Sequence, residues 1–345
     1  MNFSTLQKLT PGDSVGIVSP AFVAPAFFPA EYELGLSRLR DQFGLNPVEM
    51  PHVRNANASH QDKMDDLVKA FTDPSIKAVI ATIGGDLQIE YVHKLPTQPF
   101  KDSVKPFFGY SDNTQLNNFL FLNRIPSFYG GCIYTEFGMQ GQMDLLTESY
   151  LKTALFENSA RRLASSTEFN DEDLPWGVPE NISRRRRYQP NEGWKWNGLS
   201  DGAGYLWGGC LESLDEILRH GRKIPSLSEF EQIVLFFETC EELAPAHYVN
   251  RVLRAFGELG ILERIQGVLV GRPKAWNFDT MNSDEQKEKY KTSQHKTILD
   301  VVRRYNASIP VVQNLDFGHT APFITLPVGG KVEIVSSSQS ITAYY

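Results

Sequence analysis

The constraint that most limits how this chain can fold is the alternation, over its first 125 or so residues, of short β-rich runs with amphipathic stretches. That alternation is the pattern of a parallel sheet covered by helices. Ser14 to Ser19 reads as a first strand, and Tyr32, Leu36, Leu39 and Phe43 then recur at helical spacing. Ser59 is placed to cap a second helix whose buried face carries Met64, Leu67, Val68 and Phe71. Lys77 to Ile83 is a buried strand ending in Gly84-Gly85-Asp86, Pro106 to Gly109 is another, and Thr114 to Leu122 reads as the helix after it. Ligands of doubly wound sheets sit at the carboxyl ends of the strands, where both Gly84-Gly85 and Ser111 fall.

At 345 residues the chain exceeds the length at which one core stops growing, so two domains are expected. Between Ser165 and Ser200 charge, Pro, Gly and Trp mix without periodicity, which marks a linker or a long functional loop. Beyond it, Gly204 to Trp207, Ile233 to Phe237, Gly267 to Gly271, Pro310 to Leu315, Lys331 to Val335 and Ile341 to Tyr345 read as strands. Helices are expected at Leu211 to Leu218 and near Tyr248 to Leu259. The expected organisation is an α/β domain over 1–164, a linker and substrate loop over 165–200, and a smaller β-rich domain over 201–345.

Composition excludes several function classes. A net charge of -7 argues against nucleic acid as the main partner, despite the run Arg184 to Arg187. No apolar stretch approaches the ~20 residues of a membrane helix, and the residues after Met1 lack a signal-peptide core, so the expected compartment is the cytoplasm. Cys132, Cys210 and Cys240 form no close pair along the sequence, which fits a reducing compartment and argues against a disulfide framework or a Cys-based zinc site.

Three places can carry chemistry. Gly109-Tyr110-Ser111 on a strand-to-helix turn matches the first half of a G-x-S-x-G nucleophile elbow, with Asn113 in place of the second glycine; Ser or Asp capping the helix is the competing reading. His319, in Asp316-Phe-Gly-His-Thr after a strand, is either a general base or a surface-loop histidine. Glu238 ends an apolar strand and either faces water or orients a histidine, while Glu241 and Glu242 read as a solvated face.

Taken in order, "GYSD", Gly84-Gly85, "GYLWGGCLESL", "LFFETCEE", "GVLVGRP" and "DFGHTAPFITLPVGG" resemble the LD-carboxypeptidase family of serine peptidases along nearly the whole chain. The resemblance implies a flavodoxin-like N-terminal domain, a smaller β-rich C-terminal domain and a site between them. It also implies a homodimer that needs no metal or cofactor. Its site residues would be Ser111 as nucleophile, His319 as base and Glu238 orienting the imidazole, with the backbone N–H groups of Gly85 and Asp112 as oxyanion hole. An apparent pKa of about 6–7 is then expected in kcat/KM.

Within the family, the peptidoglycan-recycling branch, which removes a terminal D-alanine from muropeptides, usually carries Arg-Gly-Gly-x-Gly where this chain has Ile83 to Leu87. The microcin C immunity branch, which cleaves an aminoacyl group from a nucleotide-like moiety, is the closer match. Its stacking tryptophan would correspond to Trp194, with Trp196 as the alternative, and both have a loop tryptophan packed on the neighbouring domain as the competing reading. Gly84 and Cys210 complete the expected substrate contacts. Cys210 stands where relatives often have asparagine, and "ETCEELAPAHYVNR" lacks the lysine with which immunity enzymes hold an acidic side chain, so side-chain preference stays open. A protein of this fold could also bind a small molecule without reacting.

Overall fold

The computed structural model describes residues 1–345. Its first half runs β1 (Ser14–Val18), α1 (Pro29–Asp41), β2 (Asn46–Glu49), α2 (His60–Thr72), β3 (Ile76–Ala81), α3 (Thr97–Asp102), β4 (Phe107–Phe108), α4 (Thr114–Leu122) and β5 (Ser127–Tyr129). These five strands pair in parallel in the order β2-β1-β3-β4-β5, a doubly wound arrangement. Ser59 caps α2 in a reciprocal box with Asp62, so two otherwise orphan N–H groups are satisfied at the helix start.

The second half follows with α5 (Leu145–Phe156), β6 (Ala160–Arg162), β7 (Glu168–Phe169), β8 (Gln189–Pro190), β9 (Lys195–Asn197), β10 (Gly202–Cys210), α6 (Leu211–Arg219), α7 (Leu227–Phe230) and β11 (Ile233–Glu238). It closes with α8 (Ala246–Glu258), β12 (Gly267–Gly271), α9 (Asp284–Tyr305), β13 (Val311–Leu315), β14 (Leu326–Val328), β15 (Lys331–Val335) and β16 (Ser340–Tyr344). Eight strands form the sheet β6-β16-β15-β10-β11-β12-β13-β9. Its centre, β10 to β13, is parallel, because helices connect successive strands and cover the sheet. Every residue of β11 and β12 is buried, as such coverage requires. The C-terminal half is therefore strand-rich with an α/β centre of its own.

Two strands cross the domain boundary expected at residue 164. β14 adds antiparallel to β5 of the first sheet, while β6 pairs with β16 of the second. A single cluster of 82 buried apolar residues runs through both, so the sheets are held together rather than hinged on a dry seam. No helix is long and apolar enough to cross a membrane.

Candidate active site

Ser111 sits immediately after β4, at the start of the short 3-10 turn Ser111–Asn113 that leads into α4. Its φ of 63° is a conformation that a side chain with Cβ rarely adopts, and such strain persists only where surrounding contacts enforce it. Serine does not act as a cap here, since neither the turn nor α4 receives a side-chain cap bond. Instead, Ser111 Oγ lies 3.1 Å from His319 Nε2, and His319 Nδ1 lies 2.7 Å from Glu238 Oε2. Glu238 is the last residue of β11, and His319 follows β13, so the contacts join the carboxyl ends of both sheets.

The turn is enforced from three sides. Asn113 donates to the carbonyls of Ile83 and Tyr110 and accepts from Gln88 Nε2 at 2.8 Å, which lets asparagine hold the turn where the elbow pattern has glycine. Asp112 Oδ2 accepts the N–H groups of Leu87 and Gln88 at 3.0 and 3.1 Å. Tyr129, at the end of β5, donates its hydroxyl to Glu238 Oε1 at 2.5 Å and accepts the Ser111 N–H at 3.4 Å. That phenol ties the carboxylate to the serine backbone. It was not legible as functional in sequence; its one signal is its place at the end of the next parallel strand, before Gly130-Gly131.

Gly84 and Gly85 pass close to Ser111 because they lack side chains. A Cβ on Gly84 would stand 2.8 Å from Ser111 Cβ and 3.3 Å from Asp112 N, and one on Gly85 would stand 2.8 Å from Phe22 N. Gly85 also has a φ of 152°, which glycine adopts at least cost. The N–H groups of Gly85 and Asp112 are bonded to no other protein group.

The electrostatics differ from an ordinary histidine. Burial pushes the His319 imidazole down, but Glu238 and Glu241, with the hydrogen bond to Glu238, raise it to about 10. Glu241 Oε2 reaches within 3.2 Å of His319 Nε2, the same nitrogen that faces Ser111. Glu241 and Glu242 are exposed, as a solvated face requires, and that face also lines the cleft. Both carboxylates favour the charged imidazole in the free site, and the one at Nε2 was not visible in sequence spacing. Burial likewise pushes Asp112 up to about 7, against the pull of its two N–H donors.

These residues open onto a cleft of about 680 Å³ lined by Gly84, Gly85, Ser111 and His319. Three expected substrate contacts lie elsewhere. Trp194 donates its indole N–H to Asp316 Oδ2 at 2.9 Å, a carboxylate also held by Arg272 at 2.5 Å, so the ring is tied into the protein body. Trp196 belongs to β9 on the edge of β13, its ring 6.5 Å from that of Trp194. Neither lines the cleft; the tryptophan that does is Trp176, between Pro175 and Gly177 in the same 165–200 segment. The resemblance places the stacking loop at Trp194, and no local pattern in the sequence distinguishes Trp176. Cys210 is also withdrawn from the cleft. Its N–H donates to Thr114 Oγ1, and its thiol donates to Glu212 Oε2 at 3.1 Å. The fold brings Cys210 and Cys240 together despite their sequence separation, their sulfurs and a Glu212 oxygen lying within 4.8 Å of one another, a donor set able to hold a metal ion.

Comparison with known proteins agrees with this architecture. The description of the LD-carboxypeptidase N-terminal domain matches residues 15–130, and that of the LD-carboxypeptidase C-terminal domain matches residues 203–334. YocD of Bacillus subtilis, which bears a carboxypeptidase name, is 27% identical, with 97% of this chain and 98% of that protein covered. The microcin C7 self-immunity protein MccF of Escherichia coli is 25% identical, with 97% and 94% covered. The crystal structure of an MccF-like protein from Streptococcus pneumoniae in complex with AMP superposes with a TM-score of 0.84 at 26% identity, covering 97% of this chain and 99% of that one.

Proposed function

The chain belongs to the LD-carboxypeptidase family, and from that premise we propose that it is a serine hydrolase cleaving an aminoacyl group from a nucleotide-like moiety. The observation that carries the reading is the line of contacts from Ser111 Oγ through His319 to Glu238, at 3.1 and 2.7 Å. A serine hydroxyl needs a base to remove its proton as it attacks, and an imidazole held at its far nitrogen by a carboxylate is suited to that task.

In this mechanism Ser111 Oγ attacks the acyl carbon while its proton passes to His319 Nε2. Glu238 stabilises the imidazolium, and Tyr129 holds Glu238 in place. The free N–H groups of Gly85 and Asp112 take the charge that develops on the acyl oxygen. His319 then returns the proton to the departing group as the acyl bond breaks, leaving an acyl-serine; water, deprotonated by the same imidazole, releases the acid and restores the hydroxyl. Because Glu241 also faces Nε2, substrate must displace its carboxylate before the serine proton can be taken.

The nucleotide side of the proposal is supported by Trp176, whose flat ring lines the cleft, and by the AMP complex of the similar Streptococcus pneumoniae protein. On the aminoacyl side, Glu241 and Glu242 disfavour an acidic side chain. The test compares kcat/KM for aminoacyl-adenylate analogues bearing neutral and acidic side chains with that for a muropeptide ending in D-alanine. Turnover of the adenylates, best for the neutral one, is expected. Turnover of the muropeptide alone would move the substrate to peptidoglycan recycling, and tight binding without turnover of any would leave a binding protein.

A further inference from the structure

Four consecutive arginines cross the 165–200 segment, and the fold treats them unequally. Arg185 pairs with Glu168 at 3.1 Å, Arg187 pairs with Glu172 at 3.5 Å and Asp284 at 3.1 Å, and Arg184 is exposed. Arg186 alone lines the cleft. It makes no ion pair, and its Nε is buried without a hydrogen-bond partner. Three carboxylates feel its charge, Glu136, Asp144 and Asp173. Each is already committed elsewhere: Glu136 to the Cys132 N–H at 2.7 Å, Asp144 to the Tyr188 hydroxyl at 2.6 Å and Asp173 to the Lys274 ammonium at 2.5 Å.

A half-buried guanidinium with no carboxylate in direct contact is incompletely satisfied, and it is satisfied best by a planar or tetrahedral oxyanion that accepts two parallel N–H bonds. We propose that Arg186 is the receptor for an anionic oxygen group of the substrate, a phosphate or a carboxylate, in the cleft that holds Ser111. The inference rests on the reading of that cleft as the substrate site. It explains the arginine run as two arginines paired at the surface flanking one binding residue.

The test measures two preferences in wild type, Arg186→Gln, Arg186→Lys and the exposed control Arg185→Gln. One is the affinity ratio of AMP to adenosine by calorimetry; the other is the kcat/KM ratio of a peptide with a free terminal carboxylate to its amide. In wild type one of the two ratios should be about 10–100, the worth of a hydrogen bond to a charged group. Arg186→Gln should bring that ratio near one, Arg186→Lys should keep part of it, and Arg185→Gln should leave it unchanged. Collapse of the nucleotide ratio assigns a phosphate, and collapse of the peptide ratio assigns a carboxylate. If Arg186→Gln melts early, the partial loss in Arg186→Lys carries the test. Absence of any charge preference in wild type, or an undiminished one in the Arg186 variants, overturns the proposal. Failure of the serine-hydrolase reading registers separately, as normal turnover in Ser111→Ala with the charge ratio intact.

Discussion

The ends of the strands and the 165–200 segment contribute to the same cleft by different physical means. Ser111, Tyr129, Glu238 and His319 sit at or just after the ends of strands whose positions are set by a buried core, and each is fixed by a second or third hydrogen bond. Trp176 and Arg186 come from a segment with only short strand pairs, held to the body by side-chain contacts such as Glu31 Oε1, which accepts the Gly177 N–H at 2.9 Å. The difference separates tasks: regular structure holds the reacting atoms, and irregular structure supplies surfaces that select what enters. Substitutions in the first region should strike turnover, and those in the second should strike discrimination.

The largest break in that comparison is removal of Ser111 or His319. Each alanine variant should fold and lose roughly 10⁴–10⁶-fold in kcat, without additivity in the double variant; single-turnover kinetics on purified, folded protein checks this. Glu238→Gln should follow at about 10⁴-fold, through loss of the partner that fixes the imidazole tautomer, with KM little changed. Tyr129→Phe should cost about 10–100-fold in kcat, the worth of one hydrogen bond to a charged group. A loss in KM alone would make Tyr129 a packing residue.

Trp176→Ala should cost about 1–3 kcal/mol of binding for nucleobase-bearing substrates and leave baseless ones nearly unaffected. Trp194→Phe, which removes the donor to Asp316, should instead lower thermal stability by about 1 kcal/mol without changing selectivity. If Trp194 moved base selectivity and Trp176 did not, the placement of the two rings would be wrong.

The smallest effect concerns pH. Activity needs neutral His319, whose carboxylate neighbours raise its pKa in the free site, so kcat/KM should rise with pH through an apparent pKa above 7. Glu241 is 58% exposed, so solvent weakens its influence; Glu241→Gln should lower that pKa slightly and raise kcat/KM at pH 7. A limb that stays put would confine the perturbation to Glu238.

Elements whose apolar residues repeat on one face were legible in the sequence. The span of α4 and the strands Gly267 to Gly271 and Lys331 to Val335 coincide with expectation, and Ser59 caps α2. Helix α9, though 22 residues long, was not foreseen, because charged and polar residues hold most of its positions and only a thin stripe including Ile298, Val301 and Val302 is buried. The boundary crossing by β6 and β14 was equally hidden, since partner choice for three-residue strands is decided by tertiary packing. At the site, Ser111, Glu238 and His319 each mark the end of an apolar run, whereas Tyr129, Trp176, Arg186 and Glu241 acquire their roles only from neighbours distant in sequence.

The central claim is that Ser111 is a nucleophile activated by His319, and covalent labelling tests it most directly. A fluorophosphonate probe followed by peptide mass spectrometry should find one adduct, on Ser111, in the wild-type protein, and none on the same timescale in folded His319→Ala protein. Labelling of Ser111 that is indifferent to His319, or turnover that persists with Ser111 unlabelled, would contradict the account.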